Sequence, residues 1–176
     1  MGKYQKYEAI EIDTEPEPYG VLEEAREQWH SDLDDAAIAL AWEAKVKMDT
    51  DGHVRLGKCV KVTELYREFA DFNFVIVLNR EVWNSPEFTG EKKLALMDHE
   101  LCHAAPAYDD DTGEQKRDAA DRLVWRVRRH DIEEFRSVVA HHGCYKADLE
   151  KFAEALLKKR EAPLLDAMEK AKVITQ

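Results

Sequence analysis

The segment from His99 to His103, which contains the order His-Glu-Leu-Cys-His, constrains this chain more than any other. Two histidines four residues apart on an α-helix differ by about 40° of rotation and about 6 Å of rise. Both imidazoles therefore leave one face of the helix and can share one tetrahedral zinc ion, Zn2+. Glu100 follows the first histidine directly, so it would lie beside the metal and could take a proton from a metal-bound water. The spacing predicts a zinc site of hydrolytic type, with His99 and His103 as ligands and Glu100 as the base.

The sequence around this motif supports a helix. Pro106 disfavours helix at the residue before it, so we expect the helix to run roughly from Thr89 to Ala105. One face of this helix carries an apolar stripe at helical spacing: Leu94, Met97, Leu101 and Ala104. The histidines lie on an adjacent face, which predicts a central helix that is buried on one side and functional on the other.

A catalytic zinc site needs a third protein ligand and leaves the fourth position to water. His130, at an expected strand-to-helix junction, is the first candidate. His141 and His142, near the end of a predicted helix, are the next candidates. Glu133 or Glu134 could supply an oxygen instead. The residues alone leave these alternatives open.

Alternation of apolar and polar residues predicts strands at 38–48, 54–62 and from Leu123 to about His130. A dense run of β-branched and aromatic residues predicts a buried strand at 72–78. A turn at Asp49–Gly52 should join the first two strands as an antiparallel hairpin. Helices are expected at 21–30 and 63–70, and another after a cap at Asp131. We expect a flexible, extended N-terminal arm over 1–19, because Pro16 and Pro18 disfavour helix, a main domain over 20–145, and a helical C-terminal extension over 146–176.

The overall charge limits the classes of partner. A net charge of −11 in 176 residues repels nucleic acid and anionic membranes, so nucleic-acid binding would need a local basic patch. The sequence has no run of about 20 apolar residues and no basic start followed by an apolar run, which favours a cytoplasmic protein without a membrane span. Three cysteines argue against a disulfide framework. The sequence leaves the oligomeric state undetermined.

Several single residues have ordinary structural interpretations. The three cysteines are expected to be small buried residues, with Cys102 in the core rather than on zinc. His30 and His53 are expected at the surface. Three tryptophans are expected in the core: Trp42, Trp83 and Trp125. Tyr108, Tyr145 and several arginines are candidates for stabilising an oxyanion.

Two blocks of sequence together resemble a known family. The first is Ala95-Leu96-Met97-Asp98-His99-Glu100-Leu101-Cys102-His103, and the second is His130-Asp131-Ile132-Glu133-Glu134-Phe135 with Val138-Val139-Ala140-His141-His142-Gly143. They are similar to the putative phage metallopeptidases, small zincins related to the SprT-like group, over roughly Ile38 to Gly143. The resemblance implies an α+β zincin-like fold with a small, mostly antiparallel sheet beside the active-site helix. It also implies that His130 is the third zinc ligand, since a histidine shortly before a Glu-Phe pair has that role in the SprT-like group.

These observations predict a zinc metallopeptidase that hydrolyses peptide bonds in a protein or peptide substrate through a zinc-bound water activated by Glu100. The alternative is a phage-encoded metal-binding protein that acts as a non-proteolytic binding module on a host or nucleic-acid-associated partner. The two hypotheses differ in what Glu100→Gln should do: an enzyme loses activity and keeps its metal, whereas a binding module changes at most in affinity.

Overall fold

A computed structural model describes residues 5–44, 48–50, 52–133 and 136–159. The chain divides into two compact units, residues 1–129 and 130–176. The first unit contains, in chain order, β1 (Tyr7–Ala9), α1 (Pro16–Trp29), β2 (Ile38–Glu43), β3 (Gly57–Lys61), α2 (Glu64–Arg67), β4 (Phe74–Asn79), α3 (Arg80–Trp83), α4 (Gly90–Cys102), β5 (Ala104–Pro106) and β6 (Trp125–Val127).

The main sheet is mixed and has the strand order β1-β2-β4-β3. β2 pairs parallel with β4, while the β1–β2 and β3–β4 pairs are antiparallel. The predicted hairpin between the strands at 38–48 and 54–62 is therefore wrong, because β4 lies between β2 and β3. β4 is the most apolar of the strands, and the centre of the sheet is where such a strand is covered best. Where the turn was predicted, the amide of Gly52 donates to the carbonyl oxygen of Asp49 at 3.2 Å, and Gly52 has a φ of 82°; residues 45–47 and 51 lie outside the described part.

One face of this sheet forms the core together with α1 and α4. Ile38, Leu40 and Trp42 of β2 stand in register with Phe74, Ile76 and Leu78 of β4, and all six are buried. Leu22 of α1 and Met97 and Leu101 of α4 are buried in the same cluster. Each such side chain contributes about 1.5–3 kcal/mol through burial. The first unit is thus an α+β arrangement of helices on a small sheet. The predicted burial of Trp42, Trp83 and Trp125 is confirmed.

The N-terminal segment contains more regular structure than predicted. β1 pairs with β2, and Ile10 after it is buried in the core. The expectation that Pro16 and Pro18 would keep their segment extended is wrong, because both lie in the first turn of α1. Proline is tolerated there because the first amides of a helix have no intrahelical acceptor.

The helix that carries the motif is shorter than predicted. α4 ends at Cys102 rather than Ala105, and residues 104–106 form β5 instead. β5 pairs antiparallel with β6 in a second, two-stranded sheet. Cross-strand pairing overrides the local helical preference here, since it supplies partners for backbone groups that the helix would otherwise leave at its end.

The second unit contains helical segments. α5 (Arg136–His142) ends at Gly143, whose φ of 67° suits a glycine at a helix terminus. Ile132 and Glu133, predicted as the start of this helix, are not helical, and Glu134 and Phe135 lie outside the described residues. Residues 147–159 are helical, as predicted for the start of the C-terminal extension, and residues 160–176 fall outside the described ranges. None of the helices described here has both the length and the apolar character that crossing a membrane requires.

Candidate metal centre

The two histidines of the motif lie together at the C-terminal end of α4. His103 is the residue after the last helical position, but its φ of −77° and ψ of −24° are still helical. The four-residue spacing therefore keeps its helical geometry. The ring centroids of His99 and His103 are 5.1 Å apart, and one nitrogen of each ring lies within 4.8 Å of the other. His99 is exposed and His103 is half-buried, so the pair can reach one metal ion at the surface of the first unit.

His103 is held in place from the side of the β5–β6 sheet. Its Nδ1 lies 2.8 Å from the carbonyl oxygen of Arg128, and the Arg128 amide donates to the His103 carbonyl oxygen at 2.8 Å. A carbonyl oxygen can only accept, so Nδ1 carries the hydrogen. In the neutral ring, Nε2 is then the lone-pair donor that a metal requires.

Glu100 is turned into the protein, towards β3. Its residue surface is only 3% exposed, and the amide of Cys59 donates a hydrogen bond to the carboxylate. Among the described residues, no partner contacts its Oε2 by a hydrogen bond. Burial raises the pKa of Glu100 to about 7, against the lowering effects of His103, the Cys59 amide and Arg55. One oxygen is therefore anchored while the other retains its capacity to accept a proton or a hydrogen bond.

Gly57 belongs to this centre although sequence reasoning missed it. A Cβ at this position would lie 2.7 Å from Oε1 of Glu100, 3.1 Å from its Cδ and 3.2 Å from its Cγ. The carboxylate thus lies directly against the backbone of β3, and a glycine is what permits this approach. A glycine inside an alternating strand pattern is the signal that could have identified it, because such a glycine often marks a close approach of another group.

The other predicted candidates have the following positions. His130 is the first residue of the second unit, two positions after Arg128. His141 and His142 are the last residues of α5, and Glu133 is exposed. Tyr108 and Tyr145 are both exposed. The structure therefore brings together His99, Glu100 and His103 within the first unit.

Predictions about three individual residues are wrong. His30 is 8% exposed rather than at the surface, and its Nε2 lies 2.8 Å from Oδ1 of Asp98. Cys102 is exposed rather than in the core, as is Cys144. The sequence missed the burial of His30 because it comes from Asp98 on another helix, a contact that local spacing does not show. His53 is exposed, as predicted.

The donors present fit a divalent ion of the zinc kind. Two imidazoles with a defined tautomer on His103 are the nitrogen ligands that such an ion prefers. Glu100, which lies between them in the motif, has a buried carboxylate oxygen with no hydrogen-bond partner within the part of the chain that the structure describes. Groups of histidine, aspartate and cysteine in this chain could hold a metal ion.

Comparison with known families agrees with a metal centre on α4. A family model described as "Putative phage metallopeptidase" matches residues 11–157, which is most of the chain. Neither a search of curated proteins nor a search of solved structures found a significant match. The family description indicates a metal-dependent peptidase, and the histidine pair of α4 lies within the matched segment. The chain belongs to the family of putative phage metallopeptidases.

Proposed function

We propose that this protein is a zinc-dependent metallopeptidase with a zincin-like arrangement of its central helix and sheet. His99, His103 and His130 bind the ion, and Glu100 is the general base. The substrate is a peptide bond in a protein or peptide.

The observation that carries this proposal is the position of Glu100. Its carboxylate is buried against the backbone of Gly57 and Cys59, next in sequence to one histidine and three residues from the other. A carboxylate that served only to stabilise the fold would have both oxygens paired, because a buried oxygen without a partner costs about 1–3 kcal/mol. Here Oε2 has no hydrogen-bond partner among the described residues, which suits a group that exchanges a proton with a substrate.

The proposal for His130 rests on covalent reach. Arg128 is tied to His103 by two hydrogen bonds, one through the imidazole and one through the backbone. His130 follows two residues later, and two residues span at most about 7 Å. A third imidazole is therefore within chain reach of the pair on α4, and three protein ligands leave one position open for chemistry.

The bound ion would supply Lewis-acid polarisation of the scissile carbonyl and a lowered pKa for the attacking water. Glu100 takes one proton from that water and passes it to the leaving amine nitrogen, so the products are one carboxyl and one amino terminus. The Cys59 amide and the Gly57 backbone keep the carboxylate in one orientation. The Arg128 carbonyl fixes the His103 ring.

The test compares Glu100→Gln with Glu91→Gln, a substitution in the first turn of the same helix at an exposed position. Removing the base should lower kcat by about 10²–10⁴-fold on an unstructured peptide substrate. Zinc content, measured by mass spectrometry, should stay at the wild-type value in both variants. Glu91→Gln should retain wild-type kcat.

The alternative of a non-proteolytic binding module makes the opposite prediction. Glu100→Gln would then leave every measured property unchanged apart from partner affinity, and wild-type protein loaded with zinc would not cleave peptides. Equal kcat in Glu100→Gln and wild type would reject Glu100 as the base.

A further inference from the structure

α4 carries two interleaved pairs of metal-binding side chains at four-residue spacing. His99 and His103 form the first pair, and Asp98 and Cys102 form the second, one residue earlier. A shift of one residue rotates a side chain by about 100° around the helix. The second pair therefore occupies a different face and cannot be part of the centre described above without breaking the helical geometry.

The face with Asp98 and Cys102 meets a third donor from α1. His30, the residue that follows α1, is 8% exposed and places its Nε2 2.8 Å from Oδ1 of Asp98. The Sγ atom of Cys102 lies 4.0 Å from the same oxygen. One nitrogen, one oxygen and one sulfur thus all lie within 4.8 Å of one another.

We propose that His30, Asp98 and Cys102 form a second metal site that binds Zn2+ and joins the end of α1 to the last turns of α4. Metal–donor distances of about 2.0–2.3 Å place tetrahedral donors roughly 3–4 Å apart, so the three side chains need only small rotations. The mixture of thiolate, imidazole and carboxylate selects a zinc-like ion over Mg2+ or Ca2+.

The charge around this site favours a cation. Asp98 and Cys102 lie at the C-terminal end of α4, where the partial negative charge of the helix attracts positive ions. Binding converts the Cys102 thiol to a thiolate and releases its proton to solvent. It also uses the lone pair of His30 Nε2, so the ring carries its hydrogen on Nδ1 when the ion is bound, and the hydrogen bond between Nε2 and Asp98 is replaced by two bonds to the metal. The divalent charge is then balanced by one carboxylate and one thiolate. Asp98 is partly exposed and Cys102 is exposed, which leaves the fourth position to water.

The role of this site is to fix α4 rather than to cleave a substrate. α1 and α4 pack against each other in the core, and the metal would add a cross-link at their ends. Because His99 and His103 leave the same turns of α4, the cross-link would hold the helix that presents them. The inference is independent of the proposed peptidase activity, since it uses none of the residues assigned to that activity.

The test uses Co2+ as the probe, titrated into metal-free full-length protein under reducing conditions. The proposed catalytic ligands include no thiol, so cobalt–thiolate charge-transfer absorption reports the second site alone. Wild type should bind two Co2+ per chain and show this absorption. Cys102→Ser should lose the absorption and one equivalent of Co2+, while Cys144→Ser, at another exposed cysteine, should retain both.

Two further variants separate the sites. His99→Ala should lose one equivalent of Co2+ and keep the thiolate absorption, whereas an unchanged stoichiometry would count against the peptidase centre only. Asp98→Asn keeps the thiol and the side-chain shape, and it should weaken cobalt binding by at least about tenfold, since groups that only support a ligand already cost 10–100-fold. Absence of thiolate absorption in folded wild type, or its persistence in Cys102→Ser, would overturn the second site.

Discussion

Replacing Gly57 with alanine tests whether the backbone of β3 positions Glu100. The new Cβ would lie 2.7 Å from Oε1 of Glu100, about 0.7 Å inside the 3.4 Å at which ordinary contact begins. The Cγ and Cδ atoms are also within 3.2 Å, so the whole carboxylate arm must move and not only its end. Met97 and Leu101 beside it on α4 are fully buried, which leaves little room for that movement.

The expected loss follows from this displacement. A misplacement of about 1 Å in a catalytic arrangement can cost roughly 10²-fold in rate, so we expect kcat/KM on a peptide substrate to fall by about that factor. Overpacking should also lower the free energy of unfolding by about 1–3 kcal/mol, measured by urea denaturation. Zinc content should be unchanged, because the three atoms nearest to the new Cβ all belong to Glu100, which is not a proposed ligand.

Gly20→Ala is the matched control, because the same atom added there meets nothing within 4 Å. In the interior of α1 it should raise stability by about 0.5–1 kcal/mol and leave activity unchanged. A second comparison introduces Gly57→Ala into a Glu100→Ala variant. The carboxylate that the new Cβ would meet is absent there, so Gly57→Ala should lower the free energy of unfolding only slightly. Wild-type kcat/KM in Gly57→Ala, or an equal stability cost in both backgrounds, would refute the argument.

Two other predictions concern the surroundings of this centre. Burial, together with the nearby charge of Glu100, raises the pKa of Cys59 to about 12. At pH 8 the alkylation of Cys59 by iodoacetamide should therefore be far slower than that of the exposed Cys144. Peptide mass spectrometry measures both rates, and equal rates would contradict the raised pKa of Cys59. Burial raises the pKa of Glu17, but hydrogen bonds from Lys93 (2.6 Å) and Trp83 (2.9 Å) outweigh burial and hold this pKa below its usual 4.5. A lowered carboxylate pKa stabilises the fold above about pH 4.5 and loses this effect as pH falls through the folded value. Glu17→Gln should therefore lower the free energy of unfolding by at most about 1 kcal/mol at pH 7, given the exposure of Glu17. Between about pH 5 and 3, the free energy of unfolding should depend less steeply on pH in the variant than in wild type. The same pH dependence in both proteins would contradict the stabilising effect assigned to Glu17.

Local spacing was sufficient to predict the motif helix and its two histidines. A four-residue interval has one geometric meaning on a helix, and the apolar stripe through Met97 and Leu101 identified the buried side. The strands β2 and β4 could be predicted equally well, because alternation and apolar runs depend on the residues of each strand alone.

Features that depend on contacts between distant segments could not be predicted from local spacing. The strand pattern around Gly57 can indicate that some group approaches closely there, but it does not identify that group as Glu100, because the contact joins two segments more than 40 residues apart. The insertion of β4 between β2 and β3 is a choice among sheet orders that have similar local patterns. His30 was expected at the surface because its burial comes from Asp98 on another helix.

The strand order has a consequence for how the centre can move. β4 is paired on both sides, whereas β3 lies at the edge of the sheet and, among the strands that the structure describes, pairs with β4 alone. Local opening at an edge costs less free energy than opening of a central strand. Glu100 takes its backbone hydrogen bond from β3, while the ring of His103 is held through the carbonyl of Arg128 beyond β6. Glu100 and His103 lie three residues apart on one helical segment, yet their side chains are held by different parts of the fold. A fluctuation of the edge strand could release the carboxylate while the histidine pair stays in place.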